Sequence, residues 1–502
     1  MAKAANKFKR AAGILLPISS LPSNYGIGTL GAAAYNFIDF LKASGQSYWQ
    51  ILPVGATSYG DSPYQSFSAF AGNPYYIDLD MLKEEGLISQ KDINSYKWGS
   101  DPHKVDYPTM FYNRFKLLKT AFEAWDRNDE AYALFCDENA DWLDDYSMYM
   151  AIKFHNGQRS WLEWDDDIRT RQPEALEKYR GLLKEDILFW SFLQYKFFAQ
   201  WEKLREYAHA NSVEIIGDIP IYVAMDSADT WANGRQFMLD EDMRPLKVAG
   251  VPPDCFSADG QLWGNPLYRW DVMEADGFGW WKRRISFSSK IYDVIRIDHF
   301  IGITRYYSID AGSETAKVGE WLDGPGMKLI AAIDEARGRT KIIAEDLGLV
   351  VPAVRAVQKK AGYPGMKVLQ FAFGDDATNH FLPHNHTENF IVYTGTHDND
   401  TTAGYIQTMR RRELAFTKSY LGVKRRRDIT AALVRAAYMS VAHTAIIPIQ
   451  DILELGSQAR INTPSTVGGN WEWRLDGAVL TEKLSKQLLA LAQTYGRVQK
   501  SE

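Results

Sequence analysis

Apolar residues recur along the chain in short, nearly unbroken runs that end in Ser, Pro, Gly or an acidic residue, the pattern of strands covered on both faces. Gly13 to Ser19 (GILLPIS) is the first run, an amphipathic helix over Ala32 to Ser44 follows and stops at Gly45, and Tyr48 to Val54 (YWQILPV) is the second strand. Strand, helix, strand with short links is the unit that builds a parallel sheet. From about Leu79 to Ala210 charged and apolar residues mix at helical spacing without a strand signal, and Val213 to Val223 (VEIIGDIPIYV) then restores the strand pattern. A second irregular stretch runs to about Lys290. Within it Gly250 to Trp270 (GVPPDCFSADGQLWGNPLYRW) has no period and is rich in Gly, Pro and aromatics, the composition of a lid over a site or of a surface loop pinned by its own rings. Further strands are expected at Val294 to Phe300, Lys341 to Leu347, Val368 to Phe373, Phe390 to Thr396 and Ala445 to Gln450, mostly with helical segments between. Eight strands in this rhythm predict an α/β chain folded as a (β/α)8 TIM barrel. Residues 1–502 would form one catalytic barrel, with a mostly helical insertion at 56–210 after strand 2 and an irregular one at 224–290 after strand 3 that includes the lid loop 250–270.

Composition changes this picture little. Hydrophobic content of 46% and charged content of 24% describe an ordinary globular protein, and a net charge of −6 gives no general reason to expect nucleic acid. The basic clusters Arg410 to Arg412 and Lys424 to Arg427 fall in predicted helices, Thr408 to Leu421 and Arg427 to Ala442, and read as solvated faces. Cys136 and Cys255 lie far apart and fit no metal or redox spacing, so a reducing compartment is expected. The basic start, Met1 to Arg10, precedes an apolar run far too short for a signal core or a membrane span, and a cytoplasmic protein is expected. The unusual feature is 16 Trp, 27 Tyr and 24 Phe, many beside Gly, Pro, Asn or Asp in expected loops, where rings either form platforms for apolar or sugar faces or simply cover the core.

The working face of such a barrel is the carboxyl end of its strands. The residues there are acidic: Asp218 in IIGDIPIY, Asp298 in VIRIDHF, Glu345 in IIAEDLG, Asp398 in YTGTHDND and Asp451 in IPIQDIL. One carboxylate at a strand end can simply cap the next helix, and Asp346 and Asp400 suit that job. Five converging on one rim suggest chemistry instead. A carboxylate ring can hold Mg²⁺, or it can cleave a glycosidic bond with one member as nucleophile and another as proton donor. Arg296 and Asp298 share one face of their strand while Ile295 and Ile297 take the other. A guanidinium there would compete with a metal, whereas it favours the ionised carboxylate that a nucleophile needs; a structural ion pair in the core is the other reading. His380, His384 and His386 sit in a polar loop, and no metal is assigned to them.

These segments resemble glycoside hydrolase family 77, the 4-α-glucanotransferases, also called amylomaltases or, in plants, disproportionating enzymes. The likeness runs in order through ISSLPSNYGIG, SPYQSFSAFAGNPYYIDL, GDIPIYV, the lid stretch, RIDHF, AEDLG, YTGTHDNDT and ARINTPSTVGGNWEWR. It implies that Asp298 is the nucleophile, Glu345 the general acid and then base, and Asp398 the stabiliser of the transition state. Arg296 would orient the nucleophile, Asp218 support the strand-end network and His397 hydrogen-bond the distorted sugar. Phe256 and Trp263 would act from the lid, Tyr64 and Tyr75 would extend the sugar groove, and Asp451 joins the substrate-binding positions. Cys255 departs from the expected lid pattern. Retention of configuration needs two carboxyl groups about 5–5.5 Å apart, a spacing adjacent strands can supply. Asp298 and Asp398 would push Glu345 upward so that it keeps its proton. The implied reaction moves an α-1,4-glucan segment from a maltooligosaccharide to the 4-hydroxyl of another glucan, with no cofactor and no metal. The implied partners are α-1,4-glucans and maltooligosaccharides, without nucleic acid or membrane, for a monomer or weak homodimer. An α-amylase-like hydrolase, a non-catalytic glucan-binding protein and a Mg²⁺-dependent barrel enzyme are the alternatives.

Overall fold

Parallel strands close into a ring because the apolar runs are covered on both sides, by side chains inside and helices outside. A computed structural model describes residues 6–58, 60–253, 257–348 and 351–499. The strands among them are β1 (Ala11–Leu15), β2 (Tyr48–Gln50), β3 (Glu214–Pro220), β4 (Lys247–Val251), β5 (Gln261–Pro266), β6 (Val294–Asp298), β7 (Arg305–Asp310), β8 (Glu320–Asp323), β9 (Lys341–Ala344), β10 (Gly365–Val368), β11 (Phe390–Tyr393) and β12 (Thr444–Pro448). Eight of them form a parallel sheet in the order β10-β11-β12-β1-β2-β3-β6-β9. Its two edges meet: Ala344 N–H donates to Pro364 O at 2.9 Å, and Met366 N–H donates to Asp346 Oδ1 at 2.7 Å. The result is the (β/α)8 barrel. A side-chain carboxylate thus takes the place of a ladder bond at the seam.

The span between β2 and β3 carries the helices Tyr107–Ala124, Leu143–His155 and Lys184–Ala210. Local sequence starts the first, where Asp106 accepts from Thr109 N–H with Pro108 in the first turn, and the shorter helix Gln90–Asn94, where Ser89 with Asp92 forms a reciprocal capping box. The long helix Lys184–Ala210 fixes the aromatic loop before it. Buried Gln194 bonds both backbone groups of Gly72, at 2.7 and 3.0 Å, and buried Gln200 does the same for Asp78, at 2.6 and 3.2 Å. Each glutamine side chain imitates a neighbouring strand, so a loop rich in turn formers is held as firmly as a sheet.

Two features differ from the sequence reading. The strand expected at Val368 to Phe373 lies earlier, at Gly365–Val368, and Leu369–Phe371 is a turn of 3₁₀ helix. Gly365 and Lys367 hide that strand, yet Lys367 is 7% exposed and its ammonium sits 4.2 Å from the centre of the Phe390 ring. The stretch expected to be irregular contributes β4 and β5 to a four-stranded antiparallel sheet, ordered β5-β4-β7-β8. Gly250, Gly264 and a register shift between Val248 and Gly250 break the alternation that would have revealed it.

Candidate active site

Strand β6 ends in a charged pair held by a third charge. Arg296 is 3% exposed; its Nη2 lies 2.9 Å from Asp298 Oδ1 and its Nη1 2.5 Å from Asp218 Oδ2. Asp218 is the partner of Arg296 in the β3 to β6 register, and Gly217 before it lets β3 press against Tyr292, whose ring an added Cβ would meet at 2.3 Å. Burial opposes the charge on Arg296, but Asp218 and Asp298 hold it well above its ordinary value. Burial pushes Asp218 up to about 6 while Arg296 pulls it down. Asp298 is the member of this triad that opens outward, with 27% of its side chain exposed.

Glu345 stands beside it. Ala344 pairs with Ile297, so the next residues, Glu345 and Asp298, face the same side of neighbouring strands, which lie about 4.8 Å apart. Glu345 N–H continues the ladder to Ile297 O at 3.0 Å, but Phe300 N–H, not that of His299, donates back to Glu345 O at 3.0 Å. His299 is left-handed, with φ of 52°, and this bulge turns its N–H onto Glu345 Oε2 at 2.7 Å. Leu347 N–H donates to Oε1, also at 2.7 Å. Burial first, and Asp298 second, push Glu345 up to about 8. The sequence points to the charge effect; burial, the larger cause, appears only in the fold.

Asp398 completes the rim from the loop after β11. Asn462 Nδ2 donates to its Oδ1 at 2.6 Å, His397 Nε2 is 3.3 Å from its Oδ2, and Arg460 donates to its backbone oxygen at 2.8 Å. Burial opposes its charge, yet His397, Asn462 and Arg296 hold it at about 2. His397 is raised above its ordinary value by Asp398 although burial acts the other way. Tyr64 joins the two halves: its Oη donates to Asp218 Oδ2 at 2.8 Å, and its ring stacks on His397 with centroids 5.0 Å apart. The cleft above is lined by Asp298, His299, Asp398, Tyr64, Trp263 and Trp471, with Trp263 edge-on to His299 at 4.8 Å. A carboxyl group paired with a guanidinium, beside one pushed up to about 8 and near one held at about 2 on an aromatic-walled cleft, can perform acid-assisted displacement at a sugar carbon.

Other expected residues lie elsewhere. Asp451 is 2% exposed and spends its oxygens on Thr394 Oγ1 (2.5 Å), Thr402 Oγ1 (2.6 Å) and Thr402 N–H (2.7 Å), so it ties β11 to the helix Thr402–Thr408 and does not face the cleft. Tyr75 belongs to the core, packed on Tyr107 and Phe115 with ring centroids 6.5 and 5.6 Å away. Neither Asp346 nor Asp400 caps a helix: Asp346 closes the barrel seam, and Thr401 caps Thr402–Thr408 while Asp400 accepts from Ser457 Oγ at 2.7 Å. His386 is bonded to Ser440 Oγ and Phe381 O, and His384 to Tyr420 Oη and Ala377 O. Among the described residues no group of three or more His, Cys, Asp or Glu is set to hold a metal ion. Phe256 and Cys255 lie outside the described residues. The sequence reading missed His299, Asn462 and Arg460 as participants; RIDHF and ARINTPS contained them, without any strand or charge pattern to single them out.

A family profile described as 4-alpha-glucanotransferase matches residues 16–481. The chain is 48% identical over 483 residues to a 4-alpha-glucanotransferase of Clostridium butyricum, covering 96% of this chain and 99% of the relative. It is 46% identical over 501 residues to one of Thermus thermophilus, covering 97% and 99%. Among solved structures it is similar to the amylomaltase from Streptococcus agalactiae in complex with acarbose, with a TM-score of 0.95 and 43% identity over 98% of this chain and 100% of that one.

Proposed function

The chain belongs to glycoside hydrolase family 77, the 4-alpha-glucanotransferases, and from that premise we propose how its side chains divide the work. The enzyme moves an α-1,4-glucan segment from a donor to an acceptor glucan. In our reading Asp298 attacks the anomeric carbon while Glu345 gives its proton to the departing 4-oxygen. The donor segment then rests on Asp298 as an ester. Glu345, now ionised, takes the proton from the acceptor's 4-hydroxyl, and the acceptor oxygen displaces Asp298, so two inversions give net retention. Asp398 opposes the positive charge that builds on the ring carbon and oxygen, and His397 grips the same sugar.

The observation that carries this is the neighbouring pair of Asp298, which ends β6, and Glu345, which directly follows β9. Asp298 is bound to Arg296 at 2.9 Å, while Glu345 beside it is pushed up to about 8. His299 and Leu347 N–H each donate to one oxygen of Glu345, which fixes the carboxyl plane, while the O–H of the protonated group stays available to donate outward. Trp263 and Tyr64 on the cleft wall support the sugar-binding part of the reading, as does the acarbose bound by the related amylomaltase. Phe256 is assigned to the lid that keeps water from the ester. The sparse cysteines support a cytoplasmic setting, and among the described residues no helix is long and apolar enough to cross a membrane. The assignment extends to a monomer or weak homodimer, which light scattering on the purified protein checks.

Turnover of maltotriose by Asp298→Asn and by Glu345→Gln tests the roles. Each variant should lose about three or more powers of ten in kcat with its melting temperature preserved, because both replacements keep side-chain volume. Near-normal rates in either one would remove that residue from its role.

A further inference from the structure

A second cavity of about 50 Å³ shares Tyr64, Pro220 and Tyr222 with the cleft and is lined among others by Asp218, Arg284, Ser288 and Tyr292. Two lining side chains bring a buried polar atom that has no hydrogen-bond partner among the described residues: Asp218 Oδ1 and Arg284 Nε. Asp218 is 1% exposed and Arg284 2%. One atom accepts and the other donates, and a water needs only about 10–15 Å³ of such space, so the cavity has room to hydrate both.

The rest of Arg284 points to the same strand. It sits on the helix Gly279–Ile291, against the rings of Trp280 and Trp281 at 5.4 and 5.2 Å, and donates from Nη2 to Pro220 O at 2.6 Å and from Nη1 to Ile221 O at 3.2 Å. Those carbonyls belong to the last residue of β3 and the one after it, two and three positions beyond Asp218. Tyr268 Oη reinforces the hold on Ile221 O at 2.8 Å. We propose that Arg284 is a positioning residue for the nucleophile: it clamps the end of β3 through two carbonyls and, through water in the cavity, steadies the second oxygen of Asp218. Asp218 then keeps Arg296 aimed at Asp298. This rests on the assignment of Asp298 as nucleophile.

The proposal has a pH signature. The charged and titratable groups around Asp218 are Arg296, Asp298, His397 and Tyr64, with Tyr292 and Tyr393 also facing it, while Arg284 faces Asp229 and Tyr268. Removing a donor from Asp218 Oδ1 favours its neutral form, so the acid limb of the rate profile moves to higher pH.

The test takes the full-length enzyme through maltotriose kinetics from pH 4 to 9, with a high-resolution crystal structure of the unaltered protein. The structure should show ordered water on Asp218 Oδ1. Arg284→Lys, which keeps the charge and loses Nε, should lower kcat by about tenfold or more with KM within about twofold, and should raise the acid limb. Ser288→Val leaves the guanidinium in place, narrows the cavity and should shift the acid limb the same way even if Arg284→Lys does not fold. A dry Oδ1, or acid limbs unmoved in the folded variants, would overturn the proposal. Asp298→Asn separates the two ideas: if it is inactive while Arg284→Lys and Ser288→Val behave normally, only the role of Arg284 falls.

Discussion

At the scale of single residues, the candidate site gives two similar carboxyl groups opposite shifts. Glu345 is pushed up to about 8 mainly by burial and then by Asp298, whereas Asp398, more open to the cleft, is held at about 2 by His397 and Asn462. An acid must be protonated to act, so kcat/KM should fall about tenfold per pH unit above roughly pH 8. It should also fall below roughly pH 6, where Asp218 gains a proton and loosens Arg296. A rate profile with maltotriose checks both limbs; full activity at pH 9 would contradict the role of Glu345. Arg296→Met should be costly, because it leaves Asp218 buried and unpaired beside Asp298: a loss of about 3–5 kcal/mol in denaturant unfolding, together with loss of turnover. Asp298 and Glu345 were legible in the sequence because each directly follows an apolar run, and Asp398 because it lies in the acidic loop after one. The two N–H groups on Glu345 were not, since one arises from the left-handed turn at His299 and the other from Leu347 in the loop that follows Glu345 itself. Nor was the anchoring of Asp398 by Asn462, which comes from a coil far along the chain.

At the scale of elements, periodicity located most of the barrel and failed where a special residue interrupts it. The helices between β2 and β3 show their period openly. β10 is hidden by Gly365 and Lys367, and the antiparallel sheet by the glycines of β4 and β5. The carboxyl group of Asp346 does the work of a ladder bond at the β9–β10 seam, which no pattern in AEDLG reveals. Asp346→Ala should strand the Met366 N–H and cost about 1–3 kcal/mol, read from the denaturant midpoint, and an unchanged midpoint would show the seam holds without it. Trp263 belongs to β5 and stands against His299 at the cleft, so this sheet reaches the site. Trp263→Ala should raise hydrolysis relative to transfer, measured as reducing ends formed per glucose released from maltotriose, because an acceptor sugar loses its platform while water does not. A constant ratio would remove Trp263 from acceptor binding.

For the whole molecule, one parallel ring gathers residues from β3, β6, β9 and the loop after β11 onto one rim, and the insertions raise aromatic walls around it. That convergence was readable from the order of strands alone. The sideways support from Gln194, Gln200 and Arg284 was not, because each depends on a helix returning to a loop distant in sequence. The account's central claim is that the donor sugar is carried covalently on Asp298 while Glu345 handles the proton. It is tested most directly by treating Glu345→Gln with an α-glucosyl fluoride, whose leaving group needs no acid, and mapping the labelled peptide by mass spectrometry. The account predicts a glucosyl ester on Asp298. A label on any other residue, or glucosyl transfer by a variant that cannot be labelled and still acts without Asp298, would contradict it.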